Sequence, residues 1–261
     1  THLFLIFSLS IANSTVFKVS NIQITEPFKE NFKKKLVIDK AFEIAFKKLA
    51  NMTIVSSESY KIKNVGSFQI KNLIDSFNIR DEKFINNSYT ATLEVNFNKQ
   101  NTLLFFEKKN IFPSLPEKKK IIIFPILIDT INNNINLFNK NPFYLKWNLN
   151  KKDYHLIDYI LPTEEINVIE TLNKEINNLE EYDFTNLVKS YDTNEYIICL
   201  VYKSQSKFKV FSKIKINEEV KITSHSFSKN NTSQKENIII LIDQVKEIYE
   251  DNWKTINKIN R

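Results

Sequence analysis

A chain of 261 residues with a single glycine, Gly66, is barred from most of the folds that hold nucleotides. The P-loop, the GxGxxG dinucleotide turn and the nucleophile elbow each need several glycines, because backbone must there pass close to a phosphate or bend sharply. One cysteine rules out a disulfide framework and any thiolate cluster. The three histidines, His2, His155 and His225, have no ligand spacing among them, so no metal and no cofactor is expected. Apolar residues at 42% and charged residues at 26% describe a chain that packs a core, neither a disordered tail nor a membrane bundle.

The net charge of +7 invites a polyanionic partner. Its composition argues otherwise. Arg80 and Arg261 are the only arginines, and recognition of bases or phosphates favours the planar fork of arginine over lysine. The chain is also rich in Asn, Ile and Phe, the residues of an AT-rich coding sequence. Compositional drift accounts for the lysines without a ligand, and no specific nucleic-acid partner is expected.

Residues 1–14 read as a signal peptide whose start is clipped. The apolar run Leu3–Ala12 is far shorter than the ~20 residues of a spanning helix, and Ala12-Asn13-Ser14 has the small-x-small form of a cleavage site. The expected compartment is the periplasm, with no transmembrane segment in the mature chain. A lone Cys199 in an apolar strand suits an oxidising compartment, since it has no partner.

The remainder divides by pattern. Residues 15–112 predict a β-α-β-β-α domain of α+β type. It comprises a strand over Val16–Thr25 with a bulge near Asn21, then a helix opened by Thr25-Glu26-Pro27 and running to about Asn51. Ala41, Ala45 and Leu49 recur every four residues on that helix beside Ile38, Phe42 and Phe46. A short helix is expected around Glu58–Lys63. Strands Ile70–Glu82 and Tyr89–Phe97 meet across Asn86-Asn87, and a helix Thr102–Lys109 closes the domain. Pro113-Ser114-Leu115-Pro116-Glu117 and the lysines after it, residues 113–120, have linker composition. Residues 121–261 predict an α/β domain with an open mixed sheet, β-α-β-α-β-β-β-α. Its strands are Lys120–Asp129, Tyr154–Leu161, Glu195–Lys203 and a hairpin turning at Glu218-Glu219, with helices over Glu164–Leu179, Phe184–Tyr191 and Glu236 to about Ile259.

Several of these stretches occur together elsewhere. The Ala41/Ala45/Leu49 helix, Asp75–Glu82 followed by Tyr89–Phe97, Phe124-Pro125-Ile126-Leu127, Trp147, Leu161-Pro162 and Glu195–Tyr202 stand in an order that resembles an uncharacterised family of secreted Gram-negative proteins, a domain of unknown function. In element order the second domain resembles the amino-terminal domain of TolB. The resemblance implies an envelope location and two α/β domains; it brings no catalytic residues with it.

Candidate chemistry is sparse. Adjacent carboxylates such as Asp81-Glu82 and Glu164-Glu165 diverge on a strand or helix and form no acid/base dyad. Open α/β sheets bind ligands beyond the carboxyl ends of their strands, which singles out Asp129, with Thr163 and Glu164 after the next strand. The competing role for Asp129 is to cap the Asn-rich loop that follows it. On the hairpin, Lys209, Lys213 and Lys215 share a face with Lys207 and Phe211, a stripe able to grip a polyanion or simply to face water. The leading expectation is a non-enzymatic, envelope-associated module with a protein partner. The alternatives are a binder of an anionic envelope polymer through the hairpin lysines and a hydrolytic enzyme of unrecognised type.

Overall fold

The computed structural model describes residues 16–259, so the expected signal peptide lies outside the described residues. The chain is an α/β protein in two units. One runs up to Pro116 and includes residues from Asn257 onward; the other is Glu117–Ile256.

The first unit contains β1 (Val16–Pro27), α1 (Lys34–Thr53), a 3-10 turn (Ser56–Ile62), α2 (Ser67–Lys71), β2 (Ile74–Ile85), β3 (Ser88–Asn98) and α3 (Lys99–Glu107). Its antiparallel sheet has the order β1-β3-β2. Strand β3 alternates apart from the buried Glu94, placing Tyr89, Ala91, Leu93, Val95 and Phe97 in one core with the apolar stripe of α1. Ala41 and Ala45 are fully buried, small enough for the helix to lie close on the strands. The other face of β3 is polar and carries Glu94, which pairs with Lys18 at 2.9 Å and Arg80 at 3.4 Å. Pro27 does not open the helix as the sequence suggested. It ends β1 opposite Ser88, and α1 begins at Lys34. An edge strand tolerates proline because one side of its ladder is unpaired. Ile70 likewise belongs to α2, and β2 starts at Ile74.

Residues 113–120 are not a free linker. The Ser114 amide donates to the Thr53 carbonyl at 2.8 Å, Leu115 donates to Asn257, and Ile259 donates to Pro113, both at 3.2 Å. Ser114 is buried, and Lys119 and Lys120 already belong to the next strand. Residues 257–259, assigned by pattern to the second domain, are thereby paired within the first unit.

The second unit contains β4 (Lys119–Asp129), β5 (Asn134–Asn136), a 3-10 turn (Phe138–Lys140), α4 (Pro142–Lys146), β6 (Ile157–Ile160), α5 (Ile166–Lys174), α6 (Thr185–Lys189), β7 (Tyr196–Lys203), β8 (Lys207–Ile216), β9 (Glu219–Ser228) and α7 (Gln234–Ile256). Its mixed sheet has the order β5-β4-β7-β8-β9, with β6 parallel to the first residues of β4. Strands β4 and β7 are parallel, covered on both faces, and read as continuous apolar runs for that reason. Ile198, Leu200 and Phe211 face a core shared with Val168, Leu172 and Val188 of α5 and α6. On the opposite face the Tyr249 hydroxyl of α7 meets the Ser212 hydroxyl of β8 at 2.7 Å. Cys199 is fully buried there, and burial pushes its thiol up to about 12, so it is not a thiolate at neutral pH. Tyr154 and His155 precede β6 rather than lying in it.

Ten non-glycine residues among those described hold positive φ, Asn21, Asn86, Asn87, Asn110, Asn133 and Asn217 among them. Asparagine tolerates the left-handed region better than other L residues, and here it makes the turns that glycine would otherwise make. Asn21 forms the expected bulge, where register shifts between Val19 and Ile22. The β8–β9 turn falls on Asn217-Glu218, one residue earlier than the sequence suggested, because those two residues carry the positive φ pair of a two-residue hairpin.

Candidate functional site

Asp129, the last residue of β4, is buried and committed to its own loop. Its carboxylate accepts from the Ile131 amide at 3.0 Å, the Asn132 amide at 3.2 Å, and Lys203 Nζ at 3.3 Å. These donors, the Asn132 amide foremost, hold the carboxyl below its ordinary range against the effect of burial. Thr163 donates its amide to the Tyr191 hydroxyl, and Glu164 accepts from Asn139. Strand β6 ends opposite Ile122, seven residues short of Asp129, or roughly 23 Å at the rise of a strand. Among the described residues no hydrogen bond or ion pair joins Asp129 to Thr163 or Glu164.

The hairpin lysines do share a face, but acids accompany them. Lys209 lies over the Tyr202 ring, 5.4 Å from its centroid, and pairs with Glu180 at 3.4 Å. Lys215 pairs with Glu218 at 3.5 Å, and the Asp183 carboxyl is held below its ordinary range by the Thr185 hydroxyl and amide first, with a smaller contribution from Lys213. Phe211, between them, is buried in the core rather than offered to a ligand. The stripe is a partly neutralised surface.

Beside it, β9 has no second neighbour in the sheet among the described residues. It pairs with β8 over ten consecutive residues without a bulge or a proline, and most of it is exposed on both faces. A two-residue hairpin turn makes Ile216 and Glu219 a hydrogen-bonded pair, so Glu219, Lys221, Thr223, His225 and Phe227 bond to β8. The amides and carbonyls of Val220, Ile222, Ser224, Ser226 and Ser228 consequently point away from the sheet. Val220 and Ile222 are 51% and 60% exposed, an apolar pair beside unpaired backbone.

Beneath α7 lies a group of charges that the sequence did not reveal. Lys246 is 1% exposed, with its ammonium bonded to the Trp147 carbonyl and placed over the Trp147 and Tyr159 rings at 5.8 and 5.7 Å. One turn on, Glu250 accepts from the Leu156 amide at 2.8 Å and the Ile157 amide at 2.9 Å. Burial outweighs these bonds and raises its carboxyl. A cavity of about 230 Å³ adjoins, lined by Asn148, Lys151, His155, Tyr159 and Lys246 among others. The readable signal was positional. Lys246 and Glu250 follow Ile242 at intervals of four along the apolar stripe of α7, whereas Ile248, assigned to that stripe by pattern, is only half-buried.

His155 is pushed down to about 4, first by burial and then by the field of Lys246, Lys152, Lys254 and Lys118. Its folded pKa lies below the unfolded value near 6.5, so the unfolded chain binds the extra proton. Stability from this group is complete above pH 6.5 and is lost as pH falls toward 4. The bare shift corresponds to about 3 kcal/mol, discounted to about 2 for solvent screening. Urea unfolding at pH 7.5 and pH 4.5 should show wild type losing about 2 kcal/mol more than His155→Leu. Equal losses in the two proteins would remove His155 as the cause.

No helix among the described residues is long and apolar enough to cross a membrane. No protein-family model matches the chain, and no curated protein matches it. Among solved structures, the chain is similar to the crystal structure of an uncharacterized protein, with 6% identity over 53% of this chain and 90% of that chain, at a TM-score of 0.20.

Proposed function

We propose that this chain is a non-catalytic interaction module of the bacterial envelope that takes up a partner polypeptide as an added strand along β9. The observation that carries this reading is the outward row of amides and carbonyls from Val220 to Ser228, on a long, regular and uncovered edge. Natural sheets blunt such edges with prolines, bulges, short length or inward charges, and β9 has none of these apart from Glu219 and Lys221 at its start. Main-chain pairing would supply affinity, while Val220 and Ile222 would select apolar side chains at alternate positions of the partner. Lys213 and Lys215 of the neighbouring strand lie on that same face and favour acidic residues between them.

Proline at an outward position tests the proposal cleanly. Ser224→Pro removes an amide that β8 does not use, so the fold should persist, with circular dichroism unchanged and the melting temperature within a few degrees. Capture of the partner from envelope extract should fall about tenfold or more, the loss of roughly one or two backbone hydrogen bonds and their register. Thr223→Pro provides the contrast, because it breaks the β8 ladder and should destabilise the unit itself. If Ser224→Pro captures the same partner as well as wild type, strand addition at β9 is wrong.

A further inference from the structure

Lys246 is a buried cation in the field of two carboxylates, Asp243 and Glu250, neither of which is hydrogen-bonded to it; one Asp243 oxygen is itself buried with no hydrogen-bond partner among the described residues. Both Glu250 oxygens face the Leu156 and Ile157 amides, and Asp243 lies 3.8 Å from Lys152. The ammonium carries three donors, and its only hydrogen bond among the described residues goes to the Trp147 carbonyl. The Tyr159 hydroxyl is fully buried and has no hydrogen-bond partner. The His155 imidazole, 4% exposed and edge-on to Tyr154, lines the same cavity. A buried donor left unmatched costs about 1–3 kcal/mol, more when charged, so the Tyr159 hydroxyl and the spare donors of the Lys246 ammonium favour an added acceptor in this cavity.

The chemistry of that acceptor follows from charge and size. Lys151 at the mouth is balanced by Asp158, and the remaining ionised side chain of the lining is Lys246. A volume near 230 Å³ is far above what one water needs and leaves room for a phosphate or a short carboxylic acid. We propose that this cavity is a binding site for a compact oxyanion, a carboxylate or phosphate group, held by Lys246 Nζ and the Tyr159 hydroxyl with His155 against it. An ammonium–oxyanion bond is charge-assisted and would offset the desolvation of Lys246, which burial otherwise pushes toward its neutral form. The same anion would relieve the positive field that holds down the His155 imidazole. This site is separate from the β9 edge and does not depend on it.

Titration of the full chain with inorganic phosphate and, separately, with acetate at constant ionic strength tests the site and distinguishes its two sources. The readouts are calorimetry and the ring resonances of His155, assigned through His155→Gln. One arm should saturate at one anion per chain and raise the pKa of His155; the tighter arm identifies the group recognised. Lys246→Met, similar in length and able to pack against Trp147, should weaken binding about tenfold or more, in line with the strength of a charge-assisted bond. Tyr159→Phe removes only the hydroxyl, guards against misfolding of the first variant, and should weaken binding by roughly three- to tenfold. Absence of saturation in both arms up to tens of millimolar would overturn the proposal. So would wild-type affinity in Tyr159→Phe together with wild-type affinity in a folded Lys246→Met, which would leave diffuse attraction to a basic surface as the cause.

Discussion

Phe46→Ala is expected to cost about 4 kcal/mol, the largest single loss among the substitutions considered, because it empties the centre of an aromatic cluster. Phe46 is 2% exposed on α1, with ring centroids 6.4 Å from Phe97, 5.9 Å from Phe105 and 6.3 Å from Phe106. These rings come from α1, β3 and α3, so no single element can shift to fill the space. Both the transfer of the side chain and the residual void therefore count against the variant. Urea unfolding should show a lower midpoint with an unchanged slope. Phe28→Ala, at a residue 47% exposed, should cost under about 1 kcal/mol and serves as the reference. A loss below about 1.5 kcal/mol in Phe46→Ala would mean that α1 settles onto the sheet and closes the void.

Glu250→Ala should cost about 3 kcal/mol, by a different route. The carboxylate satisfies the Leu156 and Ile157 amides where β6 begins, and no water-exposed path replaces it, since Glu250 is 4% exposed. Alanine leaves two buried donors without acceptors and strips a negative charge from the surroundings of Lys246 and Lys254. Glu250→Gln keeps one acceptor oxygen and should lose roughly half as much. The order Ala, then Gln, then wild type in unfolding free energy checks the assignment. If glutamine proved as costly as alanine, the charge rather than the two bonds would dominate.

The elements that patterned legibly were those whose burial is uniform along the strand. Strand β3 buries every second residue, and β4 and β7 bury nearly all, so alternation and continuous runs located them within about one residue. Boundaries failed where a local signal has two physical meanings. Thr25-Glu26-Pro27 has the form of a helix start, yet on an edge strand the same proline simply ends the pairing. The Pro113–Lys120 segment reads as a linker by composition, while its pairing partner lies near residue 258, too distant to leave any local trace. The candidate site was hidden for a related reason. Charges on a helix are ordinarily assigned to the wet face, so Lys246 and Glu250 were passed over, although their spacing placed them among Ile242, Tyr249 and Trp253. Asp129 was legible as a residue but not as a ligand contact, since its bonds to Ile131, Asn132 and Lys203 already occupy it.

The pairing of residues 257–259 with Pro113, Ser114 and Leu115 has a consequence for the order in which the protein can assemble. The first unit is discontinuous in the chain, and its final short segment is separated from the rest by the second unit, about 140 residues. On a ribosome adding ~5–20 residues per second, Leu115 emerges roughly seven to thirty seconds before its partner Asn257 exists. During that interval the sheet and α1 can collapse on their own local contacts, but the Pro113–Leu115 strip has no strand to meet. Completion of the first unit is thus a late event that waits for synthesis of the second, and long-range closure of this kind is slow relative to the hairpins that precede it.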